Sequence, residues 1–226
     1  MLLPMSGPSG ECPVLMEIGT LPRGGSDRGR LERDWTIISA REPFSTEALL
    51  AEIQRVAPDL VLAVDTKETE GVIAALRSVR YPSASIPIVL TGPGPKLAPR
   101  RAGHDAYLCD SKGDRLVRAL APWRPLDFDA YERLETIVGA AALTPMLARL
   151  RDDLAIGLEL IEIGSGELST KAHHLAGICG MLGFERTGLA WRSLFERPES
   201  NPSTAWRETR LAIAALDKIP GSRAEH

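Results

Sequence analysis

Short β-branched, apolar runs alternate with helical periods through the first half of the chain, and then the strand pattern stops. PVLMEI (Pro13–Ile18), WTIIS (Trp35–Ser39), DLVLAV (Asp59–Val64), IPIVLT (Ile86–Thr91) and DAYLC (Asp105–Cys109) read as strands. Between them, STEALLAEIQRVA opens on Ser45 as a cap and sets Ala48, Leu49, Ile53 and Val56 at helical spacing. EGVIAALRSVR and DRLVRALAPW repeat that pattern. Strand and helix in alternation predict a parallel sheet with crossover helices. Only TLPRGGSDRGRLERD, where the first crossover should stand, lacks apolar periodicity; its helix is expected to be short or absent.

From Leu126 onward long helical periods take over. Pro122 and Pro125 in APWRPLD favour extended backbone and mark the boundary. The expected organisation is an α/β unit over residues 13–123 followed by an all-α unit over 126–219. Thr144 with Pro145 behind it reads as a helix start, Leu147, Leu150, Leu154, Leu158 and Ile161 form one apolar stripe, and Gly164–Gly166 ends it. Helices over residues 168–182, Glu185–Phe195 and Ser203–Leu216 follow, and short loops between them predict an antiparallel bundle.

The 226 residues are 44% hydrophobic and 25% charged, with a formal net charge of −3 and both signs interspersed, so bulk charge recruits neither nucleic acid nor an anionic membrane. No apolar run approaches the ~18 residues of a membrane span. Cys12, Cys109 and Cys179 are far apart and form no C-x-x-C, which predicts a reducing, cytoplasmic address. MLLPMSGPSGE lacks a positive leader and is broken by prolines, so the chain is expected to be soluble and unprocessed.

The chemistry concentrates in KAHHLAGICGMLG (Lys171–Gly183). With Leu168 at the origin of a helical wheel, Ala172, Leu175, Cys179 and Leu182 fall on one side and face the core. His173 falls on the opposite, exposed side, among Ala176, Gly177 and Gly180. His174 points elsewhere, beside Thr170 and Met181. Each helical glycine costs ~1 kcal/mol relative to alanine, so the pair is read as clearance that lets a partner approach the His173 ring. Adjacent histidines point ~100° apart and cannot chelate one ion from one face, so no metal site is expected. No G-x-S-x-G elbow supports a hydrolytic triad.

His173, Leu175, Gly177, Leu182 and Gly183 reproduce the H-x-L-x-G-x-x-x-x-[LI]-G signature of histidine phosphotransfer domains, which the helical half resembles from about Asp127 to Leu216. The F-D-x-x-x-x-L opening at Phe128–Leu134 and the closing Phe195–Glu196 extend the resemblance. It implies a four-helix bundle in which His173 is the phosphoacceptor of a two-component phosphorelay. Thr170, Ala176, Gly177 and Gly180 then border partner docking and phosphate access. The family commonly carries Lys where this chain has Ala176, and such an exposed charge is worth ~1 kcal/mol or less.

The α/β half resembles a response-regulator receiver, a doubly wound fold of strand order 2-1-3-4-5. The expected phosphoacceptor position after the third strand is Val64, with Asp65 one residue late and facing the other way. Only Glu17 stands near the expected acidic pair. Thr91 matches the family's hydroxyl residue, and Asp110 replaces its Lys. The resemblance therefore implies a degenerate receiver without a Mg²⁺ site of its own. The expected partners are receiver domains, which would supply Mg²⁺, or a sensor histidine kinase, with no cofactor in this chain. The rival reading is a phosphorylation-inactive module that binds or inhibits such a kinase or regulator. A kinase dimerisation bundle is disfavoured because no H-E-x-R-T-P-like motif occurs.

Overall fold

Strands with branched or long apolar side chains on both faces are buried from two sides, and five strands form here, the three central ones buried in this way and the two edge ones partly exposed. They are β1 (Val14–Ile18), β2 (Thr36–Ala40), β3 (Leu60–Val64), β4 (Ile88–Gly92) and β5 (Ala106–Cys109). All pair in parallel, as expected from the alternation, and their order is β2-β1-β3-β4-β5. The computed structural model describes residues 12–19, 29–40, 45–78, 82–93, 103–109, 114–126 and 129–219. Most of TLPRGGSDRGRLERD, together with Asp110 and Phe128, lies outside the described residues.

Alternate residues of the strands feed two cores. Met16, Ile18, Val61, Ala63, Ile88 and Leu90 meet helices α1 (Thr46–Val56) and α2 (Lys67–Ser78) on one face. Leu15, Leu60, Leu62 and Val89 meet Leu31, Trp35, Trp123 and α3 (Asp114–Leu120) on the other. Ser45 caps α1 as its sequence predicts, accepting from the Ala48 amide at 3.1 Å.

The helical half comprises α4 (Asp129–Val138), α5 (Ala140–Ile163), α6 (Leu168–Met181), α7 (Glu185–Glu196) and α8 (Ser203–Leu216). α5 packs on α6 and α8, and α7 packs on the same two helices, around a separate core that includes Leu147, Leu154, Leu175, Trp191 and Ala212. The fold is thus an α/β sheet followed by helices.

One boundary differs from expectation. α5 begins at Ala140, not at Thr144, so Pro145 sits inside the helix. The ring removes the donor that would reach the Ala141 carbonyl. Ala141 is exposed, so water can replace that bond, and Thr144 Oγ1 donates to the Ala140 carbonyl at 2.9 Å. At the other end Gly164 takes the left-handed cap (φ 62°) that only glycine adopts cheaply, donating back to Leu160.

α8 and the start of α7 join the helices to the sheet. Arg210 Nε of α8 lies 2.7 Å from Asp105 Oδ1, and Arg77 of α2 holds the other oxygen at 2.8 Å. Arg77 also donates to the Gly103 and Ile86 carbonyls. Burial lowers its guanidinium to about 10, against the opposing pull of Asp105, so it stays charged at neutral pH.

Candidate functional site

α6 is built from residues of opposite character on its two sides. Ala172, Leu175, Cys179 and, just beyond it, Leu182 are buried, whereas Thr170, His173, Gly177 and Gly180 are exposed. His173 is therefore on the solvent side of the helix. Its ring lies against Phe195 of α7, with centroids 4.9 Å apart and planes tilted by 48°. Phe195 is itself 39% exposed, so it braces one side of the imidazole and leaves the rest open.

Around Gly177 the surface is bare. A Cβ placed on Gly177 or on Gly180 would meet nothing within 4 Å. Neither glycine is needed for packing of its own side, and each forgoes the ~1 kcal/mol that alanine brings to a helix. Gly188 of α7 is the contrasting case. A Cβ there would come within 3.1 Å of the Ala176 carbonyl oxygen and 3.2 Å of the Gly180 nitrogen. The backbones of α6 and α7 thus touch at Gly188, just beside the open surface.

Ala176 corrects the helical wheel. It was expected on the exposed face and is instead only 8% exposed, in the core of the helical half. At about 80° from the wheel's origin it sits on the flank, and the close approach of α7 at Gly188 covers that flank. Wheel angles give a helix's own faces but not the position of the neighbour that buries them. Ala176 lines the helix contact, not the access route to His173.

His174 is also exposed, at 53% of its side chain, but it is engaged: its Nε2 lies 3.5 Å from Asp153 Oδ2 of α5. Lys171 donates to Asp153 Oδ1 at 2.5 Å. Burial raises the Asp153 carboxyl, but hydrogen bonds and charge from Lys171 and then His174 outweigh it and hold the group below the ordinary aspartate range. Lys171 is only two residues from His173 but committed to the other side of α6, where it pairs with Asp153. The sequence contained no marker for this cluster, because Asp153 is 18 residues from Lys171. Cys179 is buried, and burial followed by the nearby Asp153 pushes its thiol up to about 12.

At the C-terminal edge of the sheet, Asp65 follows β3 on the Met16–Ala63 face, where Tyr107 donates to its Oδ2 at 3.2 Å. Thr91 Oγ1 donates to the Leu108 carbonyl at 3.1 Å. Glu17 is buried and accepts from Ser39 at 3.1 Å. Glu17 belongs to the opposite face of the sheet by its alternation with Met16 and Ile18. These residues do not fit a divalent cation, and among the described residues no group of three His, Cys, Asp or Glu side chains could hold one. No helix among the described residues is long and apolar enough to cross a membrane.

Comparison of the chain with protein-family models finds no match, and comparison with curated proteins finds none.

Proposed function

We propose that this chain is a histidine phosphocarrier, in which His173 on a four-helix bundle accepts a phosphoryl group from an aspartyl phosphate of a partner receiver and passes it to another. The observation that carries this reading is the exposed His173 ring beside Gly177, whose absent side chain would meet nothing. A neutral ring nitrogen attacks phosphorus, the N–P bond forms as the acyl phosphate P–O bond breaks, and the partner's aspartate leaves as a carboxylate. The ring proton stays on the second nitrogen or passes to water. Phe195 restricts the ring's rotation, which supports in-line attack by limiting the orientations to be searched. Mg²⁺ and the groups that polarise the phosphate belong to the partner in this scheme. The α/β half is then a receiver-like unit whose own phosphorylation chemistry is lost, and the protein acts as a cytoplasmic carrier, not as an enzyme with turnover of its own.

The buried Ala176 and the occupied Lys171 favour a second reading, a module that binds a two-component kinase or regulator without accepting phosphate. One experiment separates the two: incubation with phosphorylated receivers, followed by assay for acid-labile, base-stable label. The carrier reading expects label on the wild type and on His174→Gln and none on His173→Gln. Binding of the receiver without label on any of the three would leave the inert module. Gly177→Leu should keep the fold and lose transfer; normal transfer by that variant refutes the role given to the open surface.

A further inference from the structure

The contacts that join α6 to α7 also fix what stands beside the His173 ring. Gly188 lies against the Ala176 carbonyl and the Gly180 nitrogen, and Phe195 lies against His173. As α7 runs forward from Gly188 to Phe195, α6 runs back from Gly180 to His173, so the two helices are antiparallel. Arg192 is four residues after Gly188 and three before Phe195, the spacings that place residues on one helix face. It therefore belongs to the face of α7 that meets α6, level with the turn between His173 and Gly177. Trp191 and Leu194 are buried, whereas Arg192 is exposed and Leu189, one turn before it, is 54% exposed. Arg192 is thus on the outer side of the helix contact, beside the bare surface at Gly177.

Among the described residues the Arg192 guanidinium has no hydrogen bond or ion pair. Other cations around these helices are committed elsewhere. Lys171 holds Asp153 at 2.5 Å, and Arg149 stands 3.9 Å from the same carboxylate, on the His174 side of α6. Arg186 pairs with Glu208, and Arg197 donates to Ser193 Oγ at 2.9 Å. Glu196, one turn after Arg192, is the acid spaced to pair with it, and no such pair forms among the described residues.

A protein-bound phosphoryl group carries about −1.5 to −2 charge at neutral pH. His173 is past the first turn of α6, which starts at Leu168, so the free amides of the helix end do not reach it. Thr170, one turn earlier, offers a hydroxyl but no charge. We infer that Arg192 binds the phosphoryl group carried on His173, so that the neutralising charge comes across the helix contact from α7 and not from α6 itself. A guanidinium meets two phosphate oxygens at once, which holds the group's orientation as well as its charge. The transfer step is unchanged: the N–P bond forms as the P–O bond to the partner's aspartate breaks, and Arg192 keeps its protons throughout. This rests on the phosphocarrier reading for its ligand and on the Gly188 and Phe195 contacts for its geometry.

Two arms test it in the full chain. Phosphoramidate phosphorylates histidine without any partner, and the Arg192 Nε–H signal in ¹H–¹⁵N spectra, assigned by its loss in Arg192→Lys, reports the contact. With label on the His173 peptide verified, that signal should move in His174→Gln and stay in place in His173→Gln treated identically. A signal that stays in place in both overturns the inference. In the second arm, at saturating phosphorylated receiver, Arg192→Ala should take label about five- to tenfold more slowly than wild type. Arg192→Lys, which keeps the charge, should recover part of that loss, and Arg197→Ala should match wild type. The deficit of Arg192→Ala should shrink in ~1 M salt, where exposed charges are screened, whereas a packing defect would persist. Equal rates in Arg192→Ala and wild type, or a deficit untouched by Arg192→Lys and by salt, overturn the inference. If no receiver labels the wild type the carrier reading itself fails, and the phosphoramidate arm separately decides whether Arg192 meets phosphate on His173.

Discussion

Gly188 and Gly177 are both helical glycines near His173, and replacing each with alanine should move stability in opposite directions. At Gly177 the added methyl meets nothing within 4 Å. Gly177→Ala gains helix propensity of ~1 kcal/mol and loses no contact. At Gly188 the methyl meets the Ala176 carbonyl oxygen at 3.1 Å, the Gly180 nitrogen at 3.2 Å and Cys179 Cβ at 3.5 Å. Two of these atoms are backbone, which cannot rotate away, so α6 and α7 must part by a few tenths of an ångström. Overpacking of this kind costs about 1–3 kcal/mol, against the ~1 kcal/mol of propensity gained. The expected net is a loss of ~1 kcal/mol, and the two variants should differ by ~2 kcal/mol. Urea unfolding followed by far-ultraviolet circular dichroism reads this as a midpoint raised in Gly177→Ala and lowered in Gly188→Ala, with the slope unchanged. Equal midpoints in the two variants would refute the assignment of one glycine to helix contact and the other to open surface. A fall in Gly177→Ala would show that the space beside His173 is not empty.

Other consequences are as direct. Because the folded-state pKa of Asp153 lies below its unfolded value, its contribution is present above the ordinary aspartate range and is lost as pH falls through the lower, folded-state pKa. The urea midpoint of the wild type should therefore drop more steeply below about pH 4 than that of Asp153→Asn; parallel curves would mean that Lys171 and His174 do not stabilise the charged carboxylate. Trp191 is fully buried and donates from Nε1 to Thr209 Oγ1 at 2.9 Å. Thr209→Val keeps the shape and leaves that donor unpaired, so a loss of about 1–3 kcal/mol is expected in the same unfolding assay, and a neutral result would show the bond to be dispensable.

Much of the chain was legible as one-dimensional pattern. The five strands, the Ser45 cap, the Gly164 terminus and the extents of α7 and α8 follow from alternation, capping chemistry and helical period, all of which act over a few residues. The exposure of His173 belongs with them, since a helix's inner face is set by its own apolar stripe. The start of α5 was not legible, because whether Pro145 opens a helix or stands inside one depends on whether the carbonyl it leaves bare can reach water.

What the order of residues could not contain is the relation between elements far apart along the chain. Ala176 was buried by the approach of Gly188, Lys171 was taken by Asp153, and Asp105 was shared between Arg77 and Arg210. Each is an encounter of side chains or backbones whose separation in sequence carries no periodic signal. Local sequence thus determined which surfaces each helix and strand could offer. Only tertiary packing decided which of those surfaces met, because burial and charge pairing depend on three-dimensional distance and not on spacing along the chain.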